Sequence, residues 1–405
     1  MSTVNSQDVS RRRFLKQLAS VGALGAGTAI GGFSIGTQLR SAEGLRVGTT
    51  PSLHLASYVI FIDSSGVVNA IDGNSGTVVQ SGGDAATIIG WAVSQLGGDG
   101  GLIFLRHRTG TVYSISKTIT VPNNIFIVGE GNRPILQTAL GGDFPIFTVT
   151  GQEVGFSNFQ LEGNKTNPNP LQPFNTTSQK AFLVQPTSLV TGGYRFENLQ
   201  INNFKNHGIH FLGVQGSSQG DVNVDHCNIY SNDQDGIRFE TVYGFNVVNS
   251  FFQSNGNNGL AVIGCGEGYI ANNDITFRNL VGILLYQALN VTIVGNEVNS
   301  NENNGILINN GTQFITIIGN TCCNNSCVNP YWNGIQISNG SESVMIVGNI
   351  CRNASGNTSQ WNGILVTDTC DGIIIVGNDL RGNASKGLNW ASTGTWNSAG
   401  NLGYP

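Results

Sequence analysis

"VGILLYQALNVTIVGNEVNSNENNGILINNGTQFITIIGN", Val281–Asn320, holds one phrase twice. Each copy opens on x-Gly-Ile-Leu, passes through a turn, and closes on a strand of alternating β-branched residues ending in Gly-Asn ("VTIVGN", "ITIIGN"). Period-2 alternation punctuated by Gly and Asn predicts short strands joined by tight turns. Outward from this stretch the x-Gly-[Ile/Leu] phrase recurs as "HGIHF", "DGIRF", "NGLAV", "NGIQI", "NGILV" and "KGLNW". The repeat glycines are Gly208, Gly236, Gly259, Gly282, Gly305, Gly334, Gly363 and Gly387, separated by 28, 23, 23, 23, 29, 29 and 24 residues.

A unit of this size cannot bury its apolar side alone, but stacked units bury it against one another. Stacking aligns one column from Phe196 through Val224, Val247, Ile270, Ile293, Ile317 and Ile346 to Ile375. A second runs from Ile209 through Ile237, Leu260, Ile283, Ile306, Ile335 and Ile364 to Leu388. A third holds Asn273, Asn296, Asn320, Asn349 and Asn378, whose amides can bond to one another along the stack. Propeller blades would be longer, and leucine-rich repeats would carry Leu at these positions. Coils of this length with these columns resemble the right-handed parallel β-helix of the pectate-lyase-like superfamily. The resemblance implies an all-β, single-stranded, right-handed parallel β-helix with a short N-terminal capping helix.

The region before the coils fits that expectation. Between Gly82 and Gly131, Asp84 is a candidate N-cap, and Ala85, Ile88, Ile89, Ala92 and Leu96 form one apolar face that ends at Gly97-Gly98. With "GTVYSI" and "GEG" downstream, this stretch resembles the N-terminal cap of the pectate-lyase-3 type. Such a helix would cover the open edge of the first coil, which is otherwise a pairing hazard. Trp390 and Trp396 are candidate plugs for the far end. The expected organisation is 1–44 export signal and linker, 45–132 cap and first strands, 133–390 coils, and 391–405 C-terminal tail.

"SRRRFLK" (Ser10–Lys16), followed by a weakly apolar Gly/Ala-rich run, reads as a twin-arginine export signal. The chain is therefore expected in the periplasm, at the cell surface or outside the cell, with no membrane contact beyond that segment. Net charge is −5, and those of the 19 Lys and Arg that lie beyond the export segment are scattered, which excludes the basic stripe a nucleic-acid partner would need. Seven cysteines show no zinc spacing; export permits disulfides, "CCNNSC" invites one, and the pairing stays open.

Charged residues make up only 11% of the chain, so their concentration on two coils stands out. Alternation after the repeat glycine turns the second and fourth residues outward. With the residue before the glycine, this gives His207, His210 and Leu212 on one coil and Asp235, Arg238 and Glu240 on the next. Adjacent coils lie about 4.8 Å apart, so His207 should stand beside Asp235 and His210 beside Arg238. Asp225 and His226 are expected on the adjoining face of the same coil, and Asp233 beside the groove. Such a cluster could hydrolyse a glycosidic bond with two carboxyl groups. It could instead drive β-elimination on a uronate, where Asp/Glu oxygens would hold Ca²⁺ and Arg or His would take the C5 proton.

"NDQDGIRF" resembles the first polygalacturonase motif, which implies an acid role for Asp235. The following coils carry "NNGLAV" and "LVGILL" instead of that family's paired Asp and Gly-His-Gly, and "NHGIHF" lies one coil earlier. "VDHC" (Val224–Cys227) resembles a pectate-lyase stretch through Asp225 and His226. Trp332 and Trp361, with Tyr331, recur at one place in two 29-residue coils and could dock a sugar ring. These residues suit two functions. One is an exported glycoside hydrolase or polysaccharide lyase acting on acidic, pectin-like glycan. The other is a non-catalytic surface protein that binds glycan or builds an envelope layer.

Overall fold

The computed structural model describes residues 56–403, apart from 132, 166–177, 188–189, 215–217, 329–330 and 355. The export-signal segment lies outside the described residues. The described residues all belong to one compact unit, His54–Pro405.

The unit opens as an antiparallel meander, with Tyr58–Ile62 pairing Val68–Asp72 and that strand pairing Val78–Gly82. Helix α1 (Ala85–Leu96) comes next. Asp84 caps it, accepting hydrogen bonds from the Ala86 and Thr87 amides at 3.4 and 3.0 Å and from the Thr87 hydroxyl at 2.6 Å. Its buried face, led by Ala85, Ile88, Ile89 and Ala92, packs on the meander strands Val68–Asp72 and Val78–Gly82 and on Tyr113–Ile115 and Ile119–Val121 of the first coil. From Gly101–Leu105 onward the ladders are parallel, and the chain winds through a fifteen-stranded, a seven-stranded and an eleven-stranded sheet. Eleven strands in the last sheet mark about eleven turns of the solenoid.

The two apolar columns expected from the repeats are the observed register. Phe196 through Ile375 stack in the fifteen-stranded sheet, and Ile209 through Leu388 in the eleven-stranded one. These side chains are buried and meet across the interior. In the early coils aromatics fill the same space, with Phe156 and Phe196 stacked at 5.7 Å.

The repeat glycine is required by the approach of neighbouring coils. A Cβ on Gly236 would sit 2.6 Å from the Gly259 carbonyl oxygen, and one on Gly305 would sit 2.7 Å from that of Gly334. The same contact recurs from Gly208 to Gly363, at 2.6–2.8 Å.

The asparagine column is a hydrogen-bonded ladder. Asn296 donates to Asn320 Oδ1 at 2.9 Å and to the Ile270 carbonyl at 2.9 Å, and it accepts from the Asn273 backbone and side-chain amides at 3.0 and 2.9 Å. The ladder continues through Asn349 and Asn378 to Asn401. A second ladder, which the repeat phrase does not display, runs Asn232, Asn255, Asn279, Asn301, Asn325, Gln360, Asn383. Each net bond contributes about 1 kcal/mol, while a buried amide left unmade costs about 1–3 kcal/mol. All seven cysteines are free; the "CCNNSC" group forms no bridge.

Gly305→Ala should lower the unfolding free energy by about 3 kcal/mol, because the atom it meets is backbone that cannot turn aside. Gly90→Ala, inside α1 with open space at its Cβ, should raise it by about 0.5–1 kcal/mol. Urea denaturation of the two variants checks the contrast, and equal shifts would refute the stacking account of the repeat glycine.

Candidate functional site

Five of the sequence-selected residues meet at the eleven-stranded sheet. His210 pairs in register with Arg238, and Leu212 with Glu240. His207 Nδ1 lies 3.4 Å from Asp235 Oδ2. Arg238 bridges two carboxylates: Nη1 reaches Asp235 Oδ2 at 3.3 Å, and Nε donates to Glu240. His210 Nε2 is 3.3 Å from Glu240 Oε1, and the two imidazole rings meet edge to face at 4.9 Å.

Asp235 corrects one expectation. The residue before the repeat glycine was expected to face out, but Asp235 is 0% exposed and His207 only 9%. This position belongs to a column of buried amides that later coils fill with Asn304, Asn333 and Asn362. Asp235 Oδ1 accordingly accepts from the Asn258 backbone and side-chain amides at 2.9 and 2.7 Å. A carboxylate thus occupies a ladder place, and no free oxygen remains on it for a substrate.

The structure adds Lys180, which the repeat phrase conceals. Its coil reads "QKAFLV", with Ala181 where other coils have glycine, so no phrase marks it. The pairing of Phe182 with Ile209 nevertheless puts Lys180 in the column of His207 and Asp235. The available signal was the apolar alternation of "AFLV" one coil-length before "IHFL".

Burial sets the charge states. It pushes the His207 pKa well below the ordinary 6.5, and His210, Arg238 and Lys180 push the same way. The Asp235 backbone N–H donates to His207 Nδ1 at 3.1 Å, so this nitrogen carries no proton and the 3.4 Å approach to the carboxylate is no ion pair. Burial, then Lys180, brings His210 to about 4, outweighing Glu240. Burial also lowers Lys180 against the pull of Asp143, and it raises Asp235 against Asn258 and Arg238. Burial opposes ionisation of Glu240 as well, but Arg238 prevails and holds that carboxylate below its ordinary value. His210 Nδ1 is buried without a hydrogen-bond partner, and Nε2 has only the 3.3 Å approach to Glu240 Oε1. An unmade bond of this kind costs about 1–3 kcal/mol.

The remaining selected residues lie elsewhere. Asp225 stands on the fifteen-stranded sheet and not with Asp235. Its Oδ1 meets His226 Nδ1 at 2.7 Å and the Asn249 amide at 2.9 Å. There it lines a shallow cavity of about 250 Å³ with Ser157, Asn158, Glu197, Asn198 and His226. That concavity is distinct from the charged cluster, and its lining residues are all partly or fully exposed. Asp233 forms an ion pair with Lys165 Nζ at 2.7 Å. Tyr331 is 64% exposed and meets the Trp361 ring edge to face at 4.8 Å. Trp332 is half-buried and joins them through its carbonyl, which accepts from Trp361 N at 2.7 Å.

A calcium ion does not fit the charged cluster. Asp235 Oδ1 is taken by Asn258, and Arg238 engages both Asp235 Oδ2 and Glu240. Among the described residues, no three His, Cys, Asp or Glu side chains are grouped to hold a metal, and no helix is long and apolar enough to cross a membrane.

The parallel register of three sheets defines a β-solenoid. Residues 181–380 match the family model described as right handed beta helix region, so the solenoid is a right-handed β-helix. Among solved structures, the chain is similar to the Azotobacter vinelandii mannuronan C-5 epimerase AlgE6 A-module, at a TM-score of 0.57 and 18% identity over 80% of this chain and 96% of that one. It is similar to the Dettilon tailspike protein at 0.57 and 17%, over 90% of this chain and 71% of that one. The enzymatically active domain of bacteriophage CBA120 tailspike protein 2 gives 0.55 and 17% over 71% of this chain; the match spans 47% of that protein. At these identities the likeness shows the fold alone. No curated protein matches the chain in sequence.

The histidines make stability pH-dependent in a stated direction. Their folded pKa values lie below the unfolded value of about 6.5, so the unfolded chain takes up protons first as pH falls. Stability present above about 6.5 is lost as pH falls towards about 4, while the raised Asp235 works in the opposite sense. Urea midpoints should fall between about pH 7.5 and about pH 5.5 in the wild type, and fall less in His207→Gln/His210→Gln.

Proposed function

We propose that this chain is an exported, polysaccharide-acting β-helix protein. Its substrate is an acidic, uronate-containing glycan, bound across the coils of Lys180, His210 and Arg238. One observation carries the proposal: a neutral imidazole, His210, whose Nδ1 is buried without a partner and whose Nε2 meets only Glu240 at 3.3 Å, stands beside two cationic side chains. Burying such a group without partners is costly unless it has work to do.

The chemistry that suits this set is proton removal next to a carboxylate. Lys180 would swing on its flexible stem to grip the sugar carboxylate, while Arg238 stays on Asp235 and Glu240 and adds its positive charge from there. His210 then takes the C5 proton. If the C4–O bond breaks, its electrons leave with O4, which is protonated by solvent, and a C4–C5 double bond forms. If a proton returns from the opposite face, C5 is inverted and the chain stays whole. Hydrolysis by two carboxyl groups is disfavoured, because Asp235 is fully buried in its ladder and Glu240 is held by Arg238. Two of the similar structures are a C-5 epimerase module and an enzymatically active tailspike domain, which is consistent with a polysaccharide-acting protein on this fold.

Polygalacturonate and alginate incubated in D₂O should show rising ultraviolet absorbance from unsaturated ends, or deuterium at C5. His210→Ala should lower that signal by about 100-fold or more, and Asp225→Asn should leave it unchanged. Reducing ends without either signal would refute proton abstraction.

A second function, glycan binding without turnover, is favoured by the exposed Tyr331 ring on Trp361. Tyr331→Ala and Trp361→Ala should then abolish retention on an immobilised acidic glycan in a protein that leaves the glycan unchanged.

A further inference from the structure

The outer face of the fifteen-stranded sheet changes character along the stack. In the earlier coils it carries Arg195, Glu197 and Asp225. From Tyr243–Val248 to Trp396–Ala399 two of its outward columns, Asn246 to Asn397 and Val248 to Ala399, contain no charged residue, while a third, nearer the strand starts, runs through Glu267 and Phe314. Tyr269, Ile318 and Ile374 are 43%, 37% and 43% exposed, and Val294, Met345 and Val376 lie among them together with the uncharged Thr292 and Thr316. A contiguous apolar patch beyond a few hundred Å² is uncommon on a soluble monomer and marks an interaction surface.

We propose that this face is covered by a second copy of the chain, face to face about a two-fold axis. Three observations select that occupant. The first is area. Seven strands at about 4.8 Å spacing, the longest about 20 Å, give roughly 600 Å² of projected face per copy, or about 1,200 Å² between two, the lower end of a specific interface. The second is charge. The chain carries −5 overall, yet the centre of this face is neutral, so like copies meet there without repulsion while an oppositely charged partner finds nothing to pair with. Glu267, Glu342 and Asp371 stand at the strand starts, where a rim stays in water. The third is shape. Strands in register with half-buried side chains of moderate size make a flat surface, and a copy of itself is equally flat.

Sedimentation of the full chain across concentration tests this. The wild type should weigh twice the 42.8 kDa chain at micromolar concentration. Ile318→Glu/Ile374→Glu should sediment as one copy, with association weakened about 100-fold or more and an unchanged far-ultraviolet dichroism spectrum. Thr316→Arg, at an outward position already polar, should do the same without removing an apolar side chain. A wild type of single mass up to about 100 μM overturns the proposal, as does a dimer that folded variants leave intact. A higher oligomer overturns the two-fold pairing.

Discussion

Successive coils of this protein approach within a strand spacing and stay in register, and most of its other features result from that distance. A side chain at one place in a coil has its closest neighbours at the same place one coil before and after. Where the backbones come nearest there is room for hydrogen alone, hence the glycine column whose Cβ atoms would strike the next carbonyl at 2.6–2.8 Å. Where the chain turns a corner, stray backbone amides must be satisfied within the stack. Asn does this by accepting from the coil before, donating to the coil after, and reaching a carbonyl as well.

The same proximity governs the titratable groups. Ionised residues of one sign placed on adjacent coils would repel at about 5 Å in a poorly hydrated setting. The cluster around Asp235 resolves this by mixing signs and by suppressing charge. Arg238 is shared between Asp235 and Glu240, while both imidazoles are kept neutral. Asp235 sits at a place where later coils use a neutral amide. Its burial is offset by Asn258 and Arg238, and the position of Arg238 in turn depends on Glu240. Removal of one member would therefore expose the others to uncompensated burial.

Charge is segregated by sheet as well as by coil. The early coils of the eleven-stranded sheet carry Lys180, His207, His210, Asp235, Arg238 and Glu240. In the later coils of the fifteen-stranded sheet the outward columns from Asn246 and from Val248 carry no charge, and acidic residues stand only towards the strand starts. A solenoid permits this because each sheet face is a separate set of columns, and a substitution in one leaves the interior columns untouched.

The sequence by itself determined the winding. Glycine spacing, two apolar columns and one asparagine column were legible because the repeat is local in the chain and each column needs one residue type. The meeting of His207 with Asp235 and of His210 with Arg238 was legible for the same reason, since register converts a repeat length into a distance. What the tertiary structure decided depends on orientation and on irregular coils. Lys180 was hidden because Ala181 replaces the glycine that marks other coils, and the second amide ladder because Gln360 interrupts it across a longer interval. The burial of Asp235 was not legible, since a turn residue can point inward or outward with the same neighbours in sequence. The neutrality of His210 is furthest from sequence. It arises from desolvation and from cations on two adjoining coils, quantities that exist only once those coils are stacked.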